Sequence, residues 1–234
     1  KIDILLPFKE KFSKYEASAV SLTVKNAMQH SIYLKDIRVF GQKTDNPFYK
    51  KNFYGLKNNW ILQGGHNQSL AYNYYKKILK ESYEKRIIEI HNRPYIFNFL
   101  KNKINNFPIT IHFHNDPQTM KGSKSIKERE FIANSASAVY FVSNFLKNKF
   151  LQGLKKNYDN LHVLYNSIER KHKFIPKKNN EICFIGRLVP EKGAHIYCAA
   201  IEEIAKDYTD WNFTLIGSSK AGQTIPKGIY EKNL

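Results

Sequence analysis

Cysteine is scarce in this chain of 234 residues, which has only Cys183 and Cys198. Both fall in apolar stretches and read as small buried side chains, so a disulfide-built secreted scaffold is excluded and a reducing, cytoplasmic setting fits. No apolar run approaches the roughly 20 residues that span a bilayer. The opening KIDILLPF is too short for the hydrophobic region of a signal peptide, and no small-residue cleavage site follows it. The first residue is not Met, and the chain is expected to begin inside a longer reading frame. Acidic residues are few, 20 Asp and Glu against 38 Lys and Arg. There is no G-x-S-x-G nucleophile elbow, no G-x-x-x-x-G-K-[ST] loop, no G-x-G-x-x-G fingerprint and no short internal repeat.

What remains is a composition 42% hydrophobic and 14% aromatic, enough for packed globular structure. The formal charge of +18 suits polyanions such as nucleic acid, phospholipid headgroups or phosphorylated substrates. Much of it comes in Lys-Asn mixtures (LKNKINN, IPKKNN), which read equally as a general lysine bias.

Short apolar strands alternate with helices along the chain. IDILLPF is a buried strand, ASAVSLTVKNAMQHS a helix and DIRVFG a second strand, the unit from which parallel sheets are wound. Residues 42–63 read as aromatic loop, and the double glycine of GGHNQSLAYNYYKKILKES opens a helix. Strands RIIEIHN, PITIHFHND, AVYFVS and LHVLYNS then alternate with helices RPYIFNFLKNKI, SIKEREFIANS and NFLKNKFLQGL. A doubly wound parallel α/β sheet is predicted over residues 1–171, a charged linker over 172–180, and a restart over 181–234 with strand ICFIG, helix GAHIYCAAIEEIAKDY and strand NFTLIG. A segment that small does not easily close its own core, so it is expected to pack on the first domain or to open a longer protein.

Ligands of open parallel sheets collect outside the carboxyl ends of the strands, so the residues there carry the candidate chemistry. After the first strand, Glu16 and Ser18 lie at a helix entrance that reads as an anion site or as a plain N-cap. His91 and Asn92 follow one strand; His114, Asn115 and Asp116 follow the next. Two His-Asn pairs at two strand ends suggest a hydrogen-bonding cleft, in which His114 with Asp116 could orient a sugar hydroxyl or stabilise developing charge. His112 and His114 share a strand face and, with Asp116, offer a metal alternative, but no further Cys or acidic cluster at ligand spacing supports it and no metal is expected. In FIGRLVPEKG, Gly186 permits close backbone approach, Arg187 can grip a phosphate and Lys192 adds a second cation before the next helix, a set that suits a diphosphate.

FIGRLVPEKG resembles the opening of the C-terminal domain of glycosyltransferase family 4, the retaining group 1 enzymes of GT-B fold with two facing Rossmann-like domains. IIEIHNRP, ITIHFHNDP, SASAVYFVSNFLKNKF and LHVLYNSIE occur in the order of that family's acceptor-side domain. The resemblance implies an α/β fold of GT-B type, a Rossmann-like parallel sheet domain followed by the start of a second one. It implies a hexosyltransferase-like enzyme that moves sugar from a nucleotide-diphosphate sugar, as co-substrate, to a glycan or lipid-linked acceptor in envelope polysaccharide synthesis, with no bound cofactor or metal. Arg187, Lys192, Gly186 and Ser18 would hold the donor diphosphate; His114 and Asp116 would be catalytic; His91, Asn92, Asn115 and Glu16 would meet sugar or acceptor; Asn166 would join the domains. Two departures accompany it. YEASAVS stands where the family commonly has a glycine-rich loop, and the family's acidic pair is expected past residue 234, so the chain alone is expected to be inactive. An anionic membrane surface is an expected partner. A basic nucleic-acid-binding module and an inactive sugar-binding remnant are the alternative readings.

Overall fold

The computed structural model describes residues 1–58, 65–83, 85–168 and 177–217. The chain divides into two compact units, Lys1–Glu169 and Arg170–Leu234.

The first unit is built on seven parallel strands: β1 (Ile2–Leu5), β2 (Ile37–Gln42), β3 (Phe53–Leu56), β4 (Ile87–His91), β5 (Ile109–Phe113), β6 (Ala138–Phe141) and β7 (Leu161–Val163). Their spatial order is β3-β2-β1-β4-β5-β6-β7. The winding therefore reverses between β1 and β4, which places a crevice at the carboxyl ends of those two strands. The edge strand β3 lies in the stretch read from sequence as loop; its FYGL is too short and too interrupted by glycine to show a strand pattern, and pairing with β2 makes it one.

Right-handed crossovers in opposite directions put helices on both faces. One face is covered by α2 (His66–Ile78), α3 (Pro94–Lys101), α4 (Ile126–Ser135) and α5 (Asn144–Leu151). These helices enclose the larger core, in which Ile88, Ile90, Ile109, Ile111, Phe113, Val139 and Phe141 are almost wholly buried. The other face carries α1 (Ala19–Gln29), whose Val20, Val24 and Met28 pack on Ile4, Leu6, Ile37 and Val39. Side chains alternate across a strand. Since Ile88, Ile90, Ile111 and Phe113 face the larger core, Glu89, His91, His112 and His114 all fall on the face that α1 shares. Along it His91, His112, Tyr140 and His162 form a cross-strand ladder of rings, with successive centroids 4.7, 4.6 and 5.6 Å apart.

A buried ionic cluster lies at the opposite, amino end of the strands. Asp3 on β1 is fully buried and accepts hydrogen bonds from Arg38 on β2, from Arg86 just before β4 and from the Tyr74 hydroxyl on α2. Glu81 accepts from Arg38 Nη1 at 3.0 Å and from Arg86 Nη2 at 2.9 Å, while Arg86 Nε is buried without a hydrogen-bond partner.

In the second unit β8 (Glu181–Ile185) and β9 (Asn212–Ile216) pair in parallel around α6 (Ala194–Ile204). Cys183 is exposed and Cys198 half-buried, both as free thiols, which corrects the expectation of two buried side chains. On this short sheet β8 is exposed along most of its length, so the apolar character of ICFIG does not translate into burial. Most of the expected linker, together with Ser218 and Ser219 after β9, lies outside the described residues.

Candidate active site

The site in the first unit is assembled from the ends of β1, β4 and β5. His91 closes β4 and is buried, as is Asn92, the one described non-glycine residue with a left-handed backbone, φ 56°. Asparagine tolerates that conformation better than most residues. It turns the Asn92 side chain toward β5, where Oδ1 accepts the His114 N–H at 3.0 Å and Nδ2 donates to Asn115 Oδ1 at 2.6 Å. Both strand ends expected to line a cleft are thus joined, with His91 and Asn92 supporting from beneath while His114 and Asn115 stand further out.

The imidazoles form a chain. Glu89 Oε1 lies 2.8 Å from His91 Nε2, and His91 Nδ1 lies 2.9 Å from His114 Nε2. Burial pushes the Glu89 carboxyl up, but His112, His91 and His114 outweigh it and bring the group down to about 2. Burial, reinforced by His91, lowers His112 to about 4 against the pull of Glu89. For His114, burial and the neighbouring His91 and His112 lower it to about 3, again against Glu89. At neutral pH His112 and His114 are therefore uncharged beside an ionised carboxylate.

Glu89, His91 and His112 bring three donor atoms within 4.8 Å of one another, and His112 Nε2 is buried without a hydrogen-bond partner. The rings of His91 and His112 are stacked at 22°, and both Nε2 atoms face the same Glu89 oxygen, at 2.8 and 3.5 Å, so that oxygen fills the point on which they converge. A zinc-like ion needs them to converge at about 2.0–2.1 Å, and this arrangement does not suit it.

The first loop is unlike the flexible glycine-rich turn of the resembled family. Phe12 is buried against Phe48, Tyr49 and Phe53, and Lys14 N–H donates to the Asn46 carbonyl at 3.0 Å, which fastens the loop to the segment after β2. Ser18 caps α1, but its hydroxyl donates to Glu10. The backbone N–H groups of Ser21 and Val20 also favour the charged form of the Glu10 carboxyl, so the chain supplies its own anion near this helix end. Burial raises the Glu10 carboxyl, opposed by Arg93, those N–H groups and His91. Sequence reading passed over Glu10 because only the folded loop brings it to the helix. Glu16, exposed, pairs with Lys11 at the rim of an open polar hollow that also includes Ser13, Tyr15 and Lys43.

Asp116 begins a 3-10 turn, Pro117–Thr119, and accepts the Gln118 N–H at 2.8 Å. Its place is that of a cap on the turn after β5, and among the described residues it makes no hydrogen bond to His114.

The remaining candidates belong to the second unit. Gly186 and Arg187 follow β8, and a 3-10 turn, Pro190–Lys192, leads to α6 through Gly193, whose φ of 77° is left-handed. A side chain there would be strained. Arg187 and Lys192 are exposed, and Arg187 meets Glu191 at 3.4 Å, an open pair of small energetic weight.

Residues 166–234 match the family of group 1 glycosyl transferases. The same match contains the Gly186-Arg187 turn, Lys192 and Asn166. An uncharacterized glycosyltransferase of Methanocaldococcus jannaschii is 30% identical over 228 residues, which cover 92% of this chain. The chain spans 60% of the length of that curated relative. Among solved structures, Anabaena HepE in complex with UDP and glucose is similar with a TM-score of 0.57 at 15% identity, over 93% of this chain and 70% of that one. HepE in complex with UDP gives 0.56 at 14% identity, over 99% and 71%. At such identity the likeness concerns the fold, which is α/β of the GT-B type.

Among the described residues no helix is long and apolar enough to cross a membrane.

Proposed function

We propose that the chain is part of a retaining glycosyltransferase that moves a hexose from a nucleotide-diphosphate sugar to a glycan or lipid-linked acceptor in cell-envelope polysaccharide assembly. The observation that carries this reading is the pair of exposed cations, Arg187 and Lys192, on the turn between β8 and α6, inside the segment that matches group 1 glycosyl transferases. In this reading Arg187 and Lys192 bind the donor diphosphate and stabilise the charge that develops as it leaves, with Gly186 allowing close approach. His114 faces the transferred sugar as a neutral hydrogen-bonding group, and Asn115 lies beside it. HepE, solved with UDP and glucose, supports a nucleotide-sugar donor.

The charge of +18 supports a peripheral position on an anionic membrane at its cytoplasmic side, where lipid-linked acceptors would be reached. Equal binding to anionic and neutral vesicles would remove that part. Phe12, Phe40, Phe97, Phe113, Phe141 and Phe150 are in the core, whereas Tyr15, Tyr33, Phe145 and Tyr165 are exposed and are the rings that a nucleic-acid-binding surface would have to use.

The test, made on the whole protein of which this chain is part, is nucleoside diphosphate release from a panel of nucleotide sugars, with the anomeric configuration of the product read by NMR. Release with retention, lost in Arg187→Ala with Lys192→Ala, is expected. Failure with every donor, combined with tight and salt-dependent binding of single-stranded RNA, would replace the enzyme by the nucleic-acid module.

A further inference from the structure

We propose that Glu89 and His91 are positioning residues that set the tautomer of His114, leaving its Nδ1 as an unprotonated acceptor for a sugar hydroxyl. The role of that acceptor rests on the glycosyltransferase reading; the tautomer does not.

A carboxylate can only accept. Glu89 Oε1, 2.8 Å from His91 Nε2, therefore requires the hydrogen of His91 on Nε2. In the neutral imidazole the other nitrogen, Nδ1, then holds a lone pair. His91 Nδ1 is 2.9 Å from His114 Nε2, so that contact requires the hydrogen of His114 on Nε2. What remains on His114 is Nδ1, an acceptor with no hydrogen-bond partner among the described residues. The sheet fixes the order of these groups along the chain. Glu89 and His91 are two residues apart on β4 and share a face, His91 is paired with His112 in the register of β4 and β5, and His114 is two further along.

The surroundings keep the chain in one state. His91 is buried, and Asn92 holds the His114 backbone. His112 stacks on His91 at 4.7 Å and lies 3.5 Å from the same Glu89 oxygen. From the first loop, Glu10 interacts electrostatically with His91 and with Arg93. An acceptor, rather than a donor, at the outer end would select a ligand hydroxyl able to donate, and would hold it in one orientation.

The tautomer is read directly from long-range 1H–15N spectra of the whole chain labelled with 15N-histidine, the His114 signals being assigned by their loss in His114→Asn. At neutral pH His114 is expected to be uncharged, with a protonated Nε2 and with Nδ1 in the unprotonated range. Glu89→Leu, which removes the acceptor, is expected to move His114 to a mixture of tautomers, and Glu89→Gln, which keeps a carbonyl oxygen there, to restore the wild-type pattern in part. A wild-type His114 protonated on Nδ1 or charged at neutral pH would overturn the proposal, and this spectrum needs no variant at position 89. An unchanged His114 in folded Glu89→Leu would overturn it as well. Titration of the same samples with UDP separates the two ideas: the expected tautomer without UDP binding removes the transferase reading alone, whereas UDP binding with the opposite tautomer removes the relay alone.

Discussion

Asp3 accepts two hydrogen bonds of 2.7 Å from Arg38, from Nε and Nη2, in a place where the carboxylate is wholly buried. Arg86 and Tyr74 converge on the same carboxylate at 2.9 and 2.8 Å. The burial cost of these charges is met only while every partner is present, and removal of one member of such a cluster costs about 3–5 kcal/mol. Asp3→Ala is therefore expected to lose an amount in that range, measured by urea denaturation. A loss under about 1 kcal/mol, the range of surface ion pairs, would contradict the assignment.

The pH dependence of stability follows from the imidazole cluster. His112 and His114 have folded values near 4 and 3 against an ordinary 6.5, so the unfolded chain takes up protons first as the pH falls. Glu89, at about 2 against 4.5, acts in the same direction lower down. Their contribution is complete above 6.5 and is lost progressively on acidification, the histidines between 6.5 and about 3 and Glu89 between 4.5 and about 2. Thermal unfolding followed from pH 8 to 4 is expected to show this decline, and His112→Phe is expected to flatten it.

Glu10 acts in the opposite sense. Its folded value is raised, so it favours folding least when ionised, and its contribution is present below 4.5 and lost as the pH rises through the folded value. Glu10→Gln keeps the shape and removes the buried charge. At pH 8 this variant is expected to be at least as stable as wild type, and a clear loss of stability would show that Arg93 and the helix end outweigh burial.

Asn92 separates backbone from side chain. A left-handed backbone costs an ordinary residue about 1–2 kcal/mol, and each hydrogen bond contributes about 0.5–1.5 kcal/mol net. Asn92→Ala is expected to lose both contributions. Asn92→Gly is expected to recover the backbone part, and equal losses in the two variants would contradict the role given to φ.

The alternation of strands and helices was legible because short apolar runs such as IIEIH and ITIHF, which bury one face, stand between helical patterns. β3 was not legible, since its strand character comes from the neighbour it pairs with. Within the site, the His-Asn pairs at two strand ends announced a shared place, which Asn92 makes into one hydrogen-bonded unit. Glu89 escaped notice because a single acidic residue inside a strand carries no signal until the register puts His91 and His112 beside it. Asp3, Arg38 and Arg86 escaped for the same reason, being brought together only by the order of β1, β2 and β4. The Arg187 and Lys192 turn needed no tertiary information, since strand, glycine, cation and helix follow one another in sequence.

Calorimetric titration of UDP into the chain and into Arg187→Ala with Lys192→Ala probes the proposed donor diphosphate site itself. Binding to the wild type that is lost in the folded double variant is the outcome the account requires. Absence of binding to the wild type, or equal binding to both proteins, would contradict a donor diphosphate site on the turn between β8 and α6.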